Sequence, residues 1–208
     1  MENKFTEIYD KKKWGCKNGK GSSGSGSNNS PDTKWYIDLL MKHIEATGSK
    51  SICDIGCGDW EFSKTIDWGG LHYTGIDCVK SVIEDNIKNY EKDNIKFIHE
   101  DAAAGGGTGG TTLAKGYDLV ILKDVIQHWT DDKIKEILPQ IIDNNKFVLL
   151  GNGYMFGRDK TKNDWTDRTL DKIYHYHPID VSKRPLSDMA LNIQDIQHRR
   201  FKEFILIN

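Results

Sequence analysis

The residues best placed for chemistry lie in one short stretch, Ser51-Ile-Cys-Asp-Ile-Gly-Cys-Gly-Asp-Trp60, where an apolar segment runs into a glycine-rich turn. A ligand that crosses such a turn needs positions without side chains, which Gly56 and Gly58 supply, so that the backbone can approach it closely. Asp54 lies near the end of the apolar segment, and Asp59 follows the turn. The alternative is an ordinary tight turn that binds no ligand.

The charge of this turn indicates which ligand it favours. A nicotinamide enzyme would normally present Gly-x-Gly-x-x-Gly here and place the pyrophosphate on the N-terminus of the following helix. The third glycine is absent, and Asp59 would set a carboxylate beside the phosphates, where like charges repel. S-adenosylmethionine (SAM) carries a sulfonium, an ammonium and one carboxylate but no phosphate. An acidic turn suits its two cations, and free N–H groups of the turn can bind its carboxylate.

Two further acids follow the next two apolar segments. Asp77 ends the first of them about 20 residues after Asp54, the spacing expected of an acid that binds two ribose hydroxyls. Asp101 follows the second in the same way and can accept a hydrogen bond from an adenine amino group. Each acid alone can be structural. Three in register after successive strands indicate a ligand site, because ligands in open parallel sheets bind at the carboxyl ends of the strands.

These acids require a scaffold of alternating strands and helices. Ser30 and Pro31 predict the start of a helix whose apolar residues recur at helical spacing as far as Gly48. Beyond it, short apolar segments alternate with amphipathic ones, and the chain ends in a strand pair. The predicted fold class is α/β, a Rossmann-like doubly wound sheet, mostly parallel with an antiparallel C-terminal edge strand. The predicted strands cover residues 51–55, 72–76, 95–99, 117–122, 146–150, 191–196 and 201–207, and the predicted helices cover residues 61–66, 80–90 and 131–142.

Two stretches interrupt this alternation. Residues 1–30 are polar, and residues 19–30 are so rich in Gly, Ser and Asn that they predict a loop or lid, the alternative being a plain linker. Residues 102–116, with their adjacent glycines, predict a flexible excursion before the next strand. We therefore expect an N-terminal lid of residues 1–30 and one domain over residues 31–208, long enough to bury a sizeable core.

Composition limits the partners. The sequence has 29 Lys and Arg against 31 Asp and Glu, a formal net charge of -2, so no general attraction draws it to nucleic acid or to an anionic membrane. Its apolar runs are too short to cross a bilayer, and its N-terminus is charged rather than signal-like. We expect a soluble protein of the cytoplasm. The 4 cysteines include no Cys-x-x-Cys pair and are expected to be structural or incidental thiols.

The acids and the turn resemble the motifs of class I SAM-dependent methyltransferases. Asp54-Ile-Gly-Cys-Gly58 resembles their first motif, Asp77 their second acid, and Asp101-Ala102 their adenine contact. By strand and helix order, the resemblance covers roughly residues 50 to 150. It implies SAM as the cofactor.

A narrower resemblance extends over nearly the whole chain and is carried by residues 5–9, 14–15, 23–27, 57–59, 123–129 and 176–182. Together these segments resemble a small methyltransferase group associated with polysaccharide synthesis in bacteria and large DNA viruses. It implies O-methylation of a sugar hydroxyl in a glycan or nucleotide sugar, with a glycosyltransferase as a candidate partner, and the host cytoplasm if the protein is viral. His177-Pro-Ile-Asp180 stands where members of the group often carry Arg-Pro-Leu-Asp, a departure that affects an expected substrate contact.

An acceptor hydroxyl must lose its proton, and His128 is the best candidate base. It follows the fourth parallel strand, and an imidazole ordinarily titrates near neutrality, although His128 can equally cap or pack a helix start. Asp124 can hold the SAM ammonium, orient His128 or act as the base itself, and Lys123 is expected to offer its backbone carbonyl to the cofactor. His175 and His177 can contact a sugar or lie at the surface.

The remaining candidates are aromatic residues and a serine. Trp14, Trp60 and Trp129 can stack on adenine or on a sugar face, although Trp60 and Trp129 can equally be buried in the core. Ser25 lies in the N-terminal loop that carries the narrower resemblance and is a candidate cofactor contact. No convincing cluster of hard oxygen ligands stands out, so no metal ligand is assigned and metal dependence stays open.

Three other functions compete with this interpretation. A nicotinamide dehydrogenase is disfavoured by the missing third glycine and by Asp59. A non-catalytic SAM-binding module that accompanies a glycosyltransferase would show the same sequence features. RNA or protein methylation is disfavoured by the slightly acidic balance and by the lack of an aromatic stripe rich in Arg and Lys.

Overall fold

The computed structural model describes residues 2–102, 114–153 and 179–208. The chain forms two compact units, Met1–Ala104 and Gly105–Asn208. The division between them falls within the excursion predicted at residues 102–116, most of which lies outside the described residues.

The first thirty residues contain regular structure that was not predicted from the sequence. Helix α1 spans Glu2–Asp10, and strand β1 (Cys16–Lys17) pairs antiparallel with strand β2 (Lys20–Gly21). Ile8 and Tyr9 are buried, so α1 forms by placing an apolar face against the rest of the first unit. The abundance of Gly and Ser further along obscured this pattern.

Helix α2 (Pro31–Thr47) follows the predicted start and stop signals. The Ser30 hydroxyl accepts a hydrogen bond from the Thr33 N–H at 3.2 Å, which caps the helix start. Gly48 ends the helix with a φ of +64°, a left-handed conformation that favours glycine. Both helix signals in the sequence are therefore confirmed.

Three parallel strands and one helix form the centre of the first unit: β3 Ser51–Ile55, β4 His72–Asp77, α3 Lys80–Tyr90 and β5 Ile95–His99. The strands lie in the order β5, β4, β3. Each lies where the sequence predicts a strand, and α3 lies between β4 and β5 in the chain, as predicted. Because the pairing is parallel, the carboxyl ends of the three strands meet at one edge.

The helix predicted at residues 61–66 is wrong. The structure has a short 3-10 helix at Ser63–Thr65 instead. The Ile66 N–H donates to the Ser63 carbonyl three residues back, at 3.1 Å, and the Trp68 indole N–H donates to the same carbonyl at 2.9 Å. The Ser63 carbonyl therefore accepts from a 3-10 turn and from a side chain, and no α-helical hydrogen-bond pattern continues from it.

The second unit contains two parallel strands, a helix and an antiparallel pair: β6 Leu119–Lys123, α4 Asp131–Asp143, β7 Phe147–Gly153, β8 Ile193–Arg199 and β9 Lys202–Ile207. Strand β6 pairs parallel with β7, β7 pairs antiparallel with β9, and β9 pairs antiparallel with β8, which confirms the antiparallel C-terminal edge. Helix α4 is capped by the Thr130 hydroxyl, which accepts the Lys133 N–H at 3.2 Å.

Each unit buries its own apolar residues. Tyr36 and Tyr73 are almost fully buried in the first unit, as are Leu119 and Leu122 in the second. The apolar face predicted for α4 is buried against the strands, which fixes the helix on the sheet. Within the described ranges, no helix combines the length and the apolar character needed to cross a membrane.

Candidate active site

The glycine-rich turn after β3 is held by its own backbone. Gly56 and Gly58 have φ angles of +74° and +57°, which glycine adopts without strain. The N–H groups of Gly56 and Cys57 donate to the Ile76 carbonyl at 2.7 and 3.0 Å. The Gly58 N–H donates to Asp77 Oδ2 at 3.0 Å. These bonds tie the turn to the end of β4.

The serine-rich N-terminal loop lies directly on this turn. The Ser23 N–H donates to Asp59 Oδ2 at 3.0 Å, and the Asp59 N–H donates to Ser23 Oγ at 2.8 Å; we call this reciprocal pair the Ser23–Asp59 clasp. The Tyr9 hydroxyl lies 2.7 Å from Ser23 Oγ. A Cβ added at Gly58 would lie 2.2 Å from Ser23 Oγ. Ser23 therefore fills the space that a side chain at Gly58 would occupy, and the cofactor contact assigned to Gly58 stays a prediction.

The clasp makes a stability prediction. Ser23→Ala removes the acceptor of the Asp59 N–H, and we expect it to lower the free energy of unfolding by about 1 kcal/mol. Ser27→Ala, in the same loop, is the matched control and should stay within about 0.5 kcal/mol of the wild type. Equilibrium unfolding in urea measures both. Equal stabilities for the two variants would contradict the assigned role of Ser23.

The predicted acids lie at the carboxyl ends of the three parallel strands of the first unit. Asp54 is buried and accepts a hydrogen bond from the Tyr73 hydroxyl at 2.7 Å. Asp77 is buried, and its Oδ1 accepts the Val79 N–H at 2.9 Å. Asp101 follows β5 and is half-buried, as is its neighbour Ala102. Asp77 thus organises the turn after β3 as well as ending its own strand.

The carboxylates make the electrostatic potential at this edge negative. Burial raises the pKa of the Cys57 thiol, and the carboxylates of Asp77 and Asp54 raise it further. Burial also raises the pKa of Asp77, against the effect of its two backbone hydrogen bonds, and the Asp59 carboxylate adds to the rise. A cationic ligand would relieve this crowding of carboxylates.

The N–H groups of the turn are not available to a ligand. Those of residues 56–59 all donate to groups within the first unit, so the expectation that they bind the SAM carboxylate is corrected. The same observation counts against a dinucleotide, because a pyrophosphate needs such N–H groups. Carboxylates without phosphate-binding donors fit a cofactor with two cationic centres and ribose hydroxyls.

The structure places the candidate aromatic residues mainly in packed surroundings. Trp60 is 4% exposed and packs against Tyr73, Tyr90 and Phe97, with ring centroids 5.1 to 5.6 Å apart. Its φ of +54° bends the chain immediately after the clasp. The Trp60 ring therefore serves the core, and any contact with a cofactor would come from its backbone.

Trp14 and Ser25 lie in the N-terminal segment. Trp14 is half-buried, with its ring centroid 5.8 Å from that of Phe5 and 6.3 Å from that of Tyr9. Ser25 is exposed and begins a short 3-10 helix. The other candidate, Trp129, is buried in the second unit. The cofactor contacts assigned to Trp14 and Ser25 stay predictions.

The catalytic candidates belong to the second unit. Asp124 follows β6 with a φ of +62°, and its N–H donates to the Gly151 carbonyl at 2.6 Å. Its carboxylate accepts hydrogen bonds from the ammonium groups of Lys123, at 2.7 Å, and of Lys202. Burial opposes ionisation, but the two ammonium groups hold the pKa of Asp124 well below its ordinary value. This favours an electrostatic role for Asp124 over a role as base.

His128 ends a 3-10 helix, Ile126–His128, and is half-buried. Its N–H donates to the Val125 carbonyl at 2.9 Å. His175 and His177 lie outside the described residues. Among the residues that are described, no group of three or more His, Cys, Asp or Glu side chains is arranged to hold a metal ion.

The roles of four residues that organise these sites were not predicted from the sequence, although Tyr9 and Ser23 lie in segments that carry the narrower resemblance. Tyr9 and Ser23 support the clasp, Lys202 pairs with Asp124, and the Asn86 side-chain amide donates to the Gly58 carbonyl at 2.8 Å. Asn86 carries a readable signal, since it is a polar residue on the buried face of α3. Lys202 carries none, because it lies 78 residues from Asp124.

Comparison with known proteins finds a methyltransferase among sequence relatives. No protein-family model matches the chain. A ribosomal protein L11 methyltransferase of Campylobacter fetus subsp. fetus is 29% identical over 129 residues, which make up 60% of this chain and 43% of that protein. The similarity therefore spans less than half the length of that curated relative.

Solved structures resemble nearly the whole chain. The PH0226 protein of Pyrococcus horikoshii OT3 has a TM-score of 0.64 and 18% identity, covering 89% of this chain and 96% of its own. The N-methyltransferase NodS of Bradyrhizobium japonicum WM9, in complex with S-adenosylhomocysteine, has a TM-score of 0.62 and 13% identity, covering 97% of both chains. Magnesium protoporphyrin IX methyltransferase of Synechocystis PCC 6803, with bound S-adenosylhomocysteine, has a TM-score of 0.56 and 17% identity, covering 84% of this chain and 82% of its own.

These likenesses define the fold. The chain has the Rossmann-like fold of class I methyltransferases: the described strands are mostly parallel, and an antiparallel pair forms the C-terminal edge. The predicted fold class is confirmed.

Proposed function

We propose that this protein is a SAM-dependent methyltransferase. The observation that carries the proposal is the acidic edge of the first unit, where Asp54, Asp77 and Asp101 lie at or just beyond the carboxyl ends of three adjacent parallel strands. The neighbouring turn has no N–H group left for a pyrophosphate at residues 56–59. An acidic edge of this kind suits a cationic cofactor and disfavours a dinucleotide.

The comparisons support this choice of cofactor. Two of the similar structures hold S-adenosylhomocysteine, the product that remains after SAM gives up its methyl group, and the sequence relative is a methyltransferase by name. When bound, SAM supplies a methyl group already activated by a sulfonium. In this chain, Asp77 would accept hydrogen bonds from the ribose hydroxyls, and Asp101 with Ala102 would contact the adenine.

The acceptor we propose is a sugar hydroxyl of a glycan or nucleotide sugar. The motif resemblance over nearly the whole chain supports it, and a glycosyltransferase is the proposed partner. Methyl transfer to oxygen needs a group that takes the hydroxyl proton, and we assign that role to His128, whose imidazole suits it near neutral pH. The low pKa of Asp124 leaves it to stabilise neighbouring cations.

Protein methylation is the second candidate. The 29% identity to a ribosomal protein L11 methyltransferase favours it, although the similarity spans only 43% of that relative. The two acceptors can be compared directly by offering the protein methyl-labelled SAM with nucleotide sugars, free glycans or ribosomal protein L11. Label in a sugar product supports O-methylation of a sugar, and label in L11 alone would replace it with protein methylation.

The His128 assignment makes a kinetic prediction. His128→Ala should lower kcat by about 100-fold or more, with SAM affinity unchanged, because the variant loses the proton acceptor but no cofactor contact. His72→Ala is the control, since His72 is an exposed histidine at the start of β4. Label transfer from SAM gives kcat, and calorimetry gives the affinity. A His128→Ala enzyme as fast as the control would refute the assigned role.

A further inference from the structure

Two lysines share one carboxylate in the second unit. Lys123 Nζ donates to Asp124 Oδ2 at 2.7 Å, and Lys202 Nζ donates to the same oxygen. Lys123 is the last residue of β6 and Lys202 the first of β9, so strand ends bring the three side chains together. We call Lys123, Asp124 and Lys202 the lysine–aspartate cluster.

The cluster lies where a parallel sheet receives its ligands. Lys123 is paired with Gly151 in the parallel register of β6 and β7, and Lys202 is paired with Gly153 at the end of β7. Both lysines are therefore level with the carboxyl ends of the parallel strands of this unit. Ligands of open α/β sheets bind outside these ends.

The backbone at Asp124 adopts an energetically unfavourable conformation that holds the cluster in place. Asp124 has a φ of +62°, which costs a non-glycine residue about 1 kcal/mol or more. The hydrogen bond from its N–H to the Gly151 carbonyl, at 2.6 Å, fixes the position. In this conformation its carboxylate meets both ammonium groups. Strain of this kind concentrates at functional sites.

The cluster carries more positive than negative charge. Burial and the Lys123 ammonium lower the pKa of Lys202 to about 8, while both ammonium groups keep Asp124 ionised. Near pH 7 the three side chains therefore hold two positive charges and one negative charge. Arg199, paired with Lys202 across β8 and β9, adds a further positive residue. Lys202 is 26% and Asp124 23% exposed, so a ligand can reach them.

We propose that the lysine–aspartate cluster binds the anionic group, carboxylate or phosphate, of an acidic acceptor sugar. A carboxylate or phosphate placed there offsets the repulsion between the two ammonium groups and accepts charge-assisted hydrogen bonds from them. The inference rests on the proposed function for the sugar class of the acceptor, and it leaves the role of His128 unchanged. Phe201 directly precedes Lys202 in the sequence and is 67% exposed, so its ring is accessible to a ligand.

Binding of small anions to the full chain tests the proposal without any need for turnover. Calorimetry with glucuronate and with inorganic pyrophosphate should show binding, and neutral glucose should bind at least about tenfold more weakly. Lys202→Met should weaken anion binding by about tenfold or more, whereas Lys202→Arg should stay within about threefold. Lys146→Met is the control, since Lys146 pairs with Asp118 at the amino end of β7. The anion that binds more tightly indicates whether the anionic group of the acceptor is that of a uronate or of a sugar diphosphate.

The pH dependence gives a second readout. Glucuronate stays ionised from pH 7 to 9, while Lys202, with a pKa of about 8, loses most of its charge over that range. Affinity for glucuronate should therefore fall by up to about tenfold between pH 7 and 9, and saturating glucuronate should raise the pKa of Lys202. The lysine Nζ signals in NMR spectra report that pKa directly.

Several results would overturn the proposal: equal binding of glucose and glucuronate, unchanged anion affinity in Lys202→Met, or single-stranded RNA binding far tighter than pyrophosphate. Two binding measurements distinguish failure of the cluster proposal from failure of the proposed function. Anion binding without SAM binding would refute the proposed function alone. SAM binding without anion binding would refute the cluster alone.

Discussion

Gly58→Ala is expected to lower the free energy of unfolding by about 2 to 4 kcal/mol and to weaken SAM binding by at least about tenfold. The new Cβ would lie 2.2 Å from Ser23 Oγ and 3.3 Å from the Tyr9 hydroxyl, at a φ of +57°. Rotating the Ser23 hydroxyl away would break its bonds to Asp59 and Tyr9. The substitution therefore displaces either the turn or the loop, and both belong to the proposed cofactor site.

Gly48→Ala provides a closely matched control. Gly48 has a φ of +64°, similar to that of Gly58, but an added Cβ there meets nothing within 4 Å. It should cost only the backbone strain, about 1 kcal/mol, and leave SAM affinity unchanged. Urea unfolding and calorimetric titration of the two variants separate strain from collision. If they lost equal stability and SAM affinity, the packing of Ser23 against the turn would be contradicted.

Asp77→Ala is expected to weaken SAM binding by about 100-fold and to cost about 2 to 4 kcal/mol of stability. The affinity falls because the variant lacks the acceptor proposed for the ribose hydroxyls. The stability falls because the buried N–H groups of Gly58 and Val79 lose the carboxylate that accepts them, at 3.0 and 2.9 Å. Calorimetry gives the affinity, and urea unfolding gives the stability.

Asp77→Asn is a second variant that keeps the test usable if Asp77→Ala does not fold. Its amide oxygen can still accept one of the two N–H groups, so its stability should lie between those of the wild type and Asp77→Ala. Its SAM affinity should still fall, since the amide NH₂ cannot accept a ribose hydroxyl proton. Wild-type affinity in a folded Asp77→Asn or Asp77→Ala protein would remove Asp77 from the cofactor site.

The scaffold of the site was readable from the sequence because it depends on local patterns. Strands β3 and β5 and helix α3 lie at the predicted residues, since short apolar runs and an amphipathic segment with a clear period leave little choice. The ends of α2 were equally readable from Ser30 and Gly48, because capping is a local interaction. The three acids followed from their positions at strand ends.

The contacts that complete the site were not readable. Ser23 and Asp59 lie 36 residues apart, and a hydrogen bond between two loops leaves no period in the sequence. The N–H groups of the turn were expected to be free, but the Ile76 carbonyl, the Asp77 carboxylate and the Ser23 hydroxyl accept them. Only the folded chain shows which acceptors come within reach. Local spacing thus predicted which residues form the edge, and tertiary packing decided which of their groups remain for a ligand.

We expect the acidic edge of the first unit to bind SAM and not a dinucleotide. Calorimetric titration of the wild-type protein with SAM, and separately with NAD, measures both affinities. Saturable binding of SAM to one site, with no heat from NAD, is the result that the structure predicts. Binding of NAD in preference to SAM, or no binding of SAM, would contradict it.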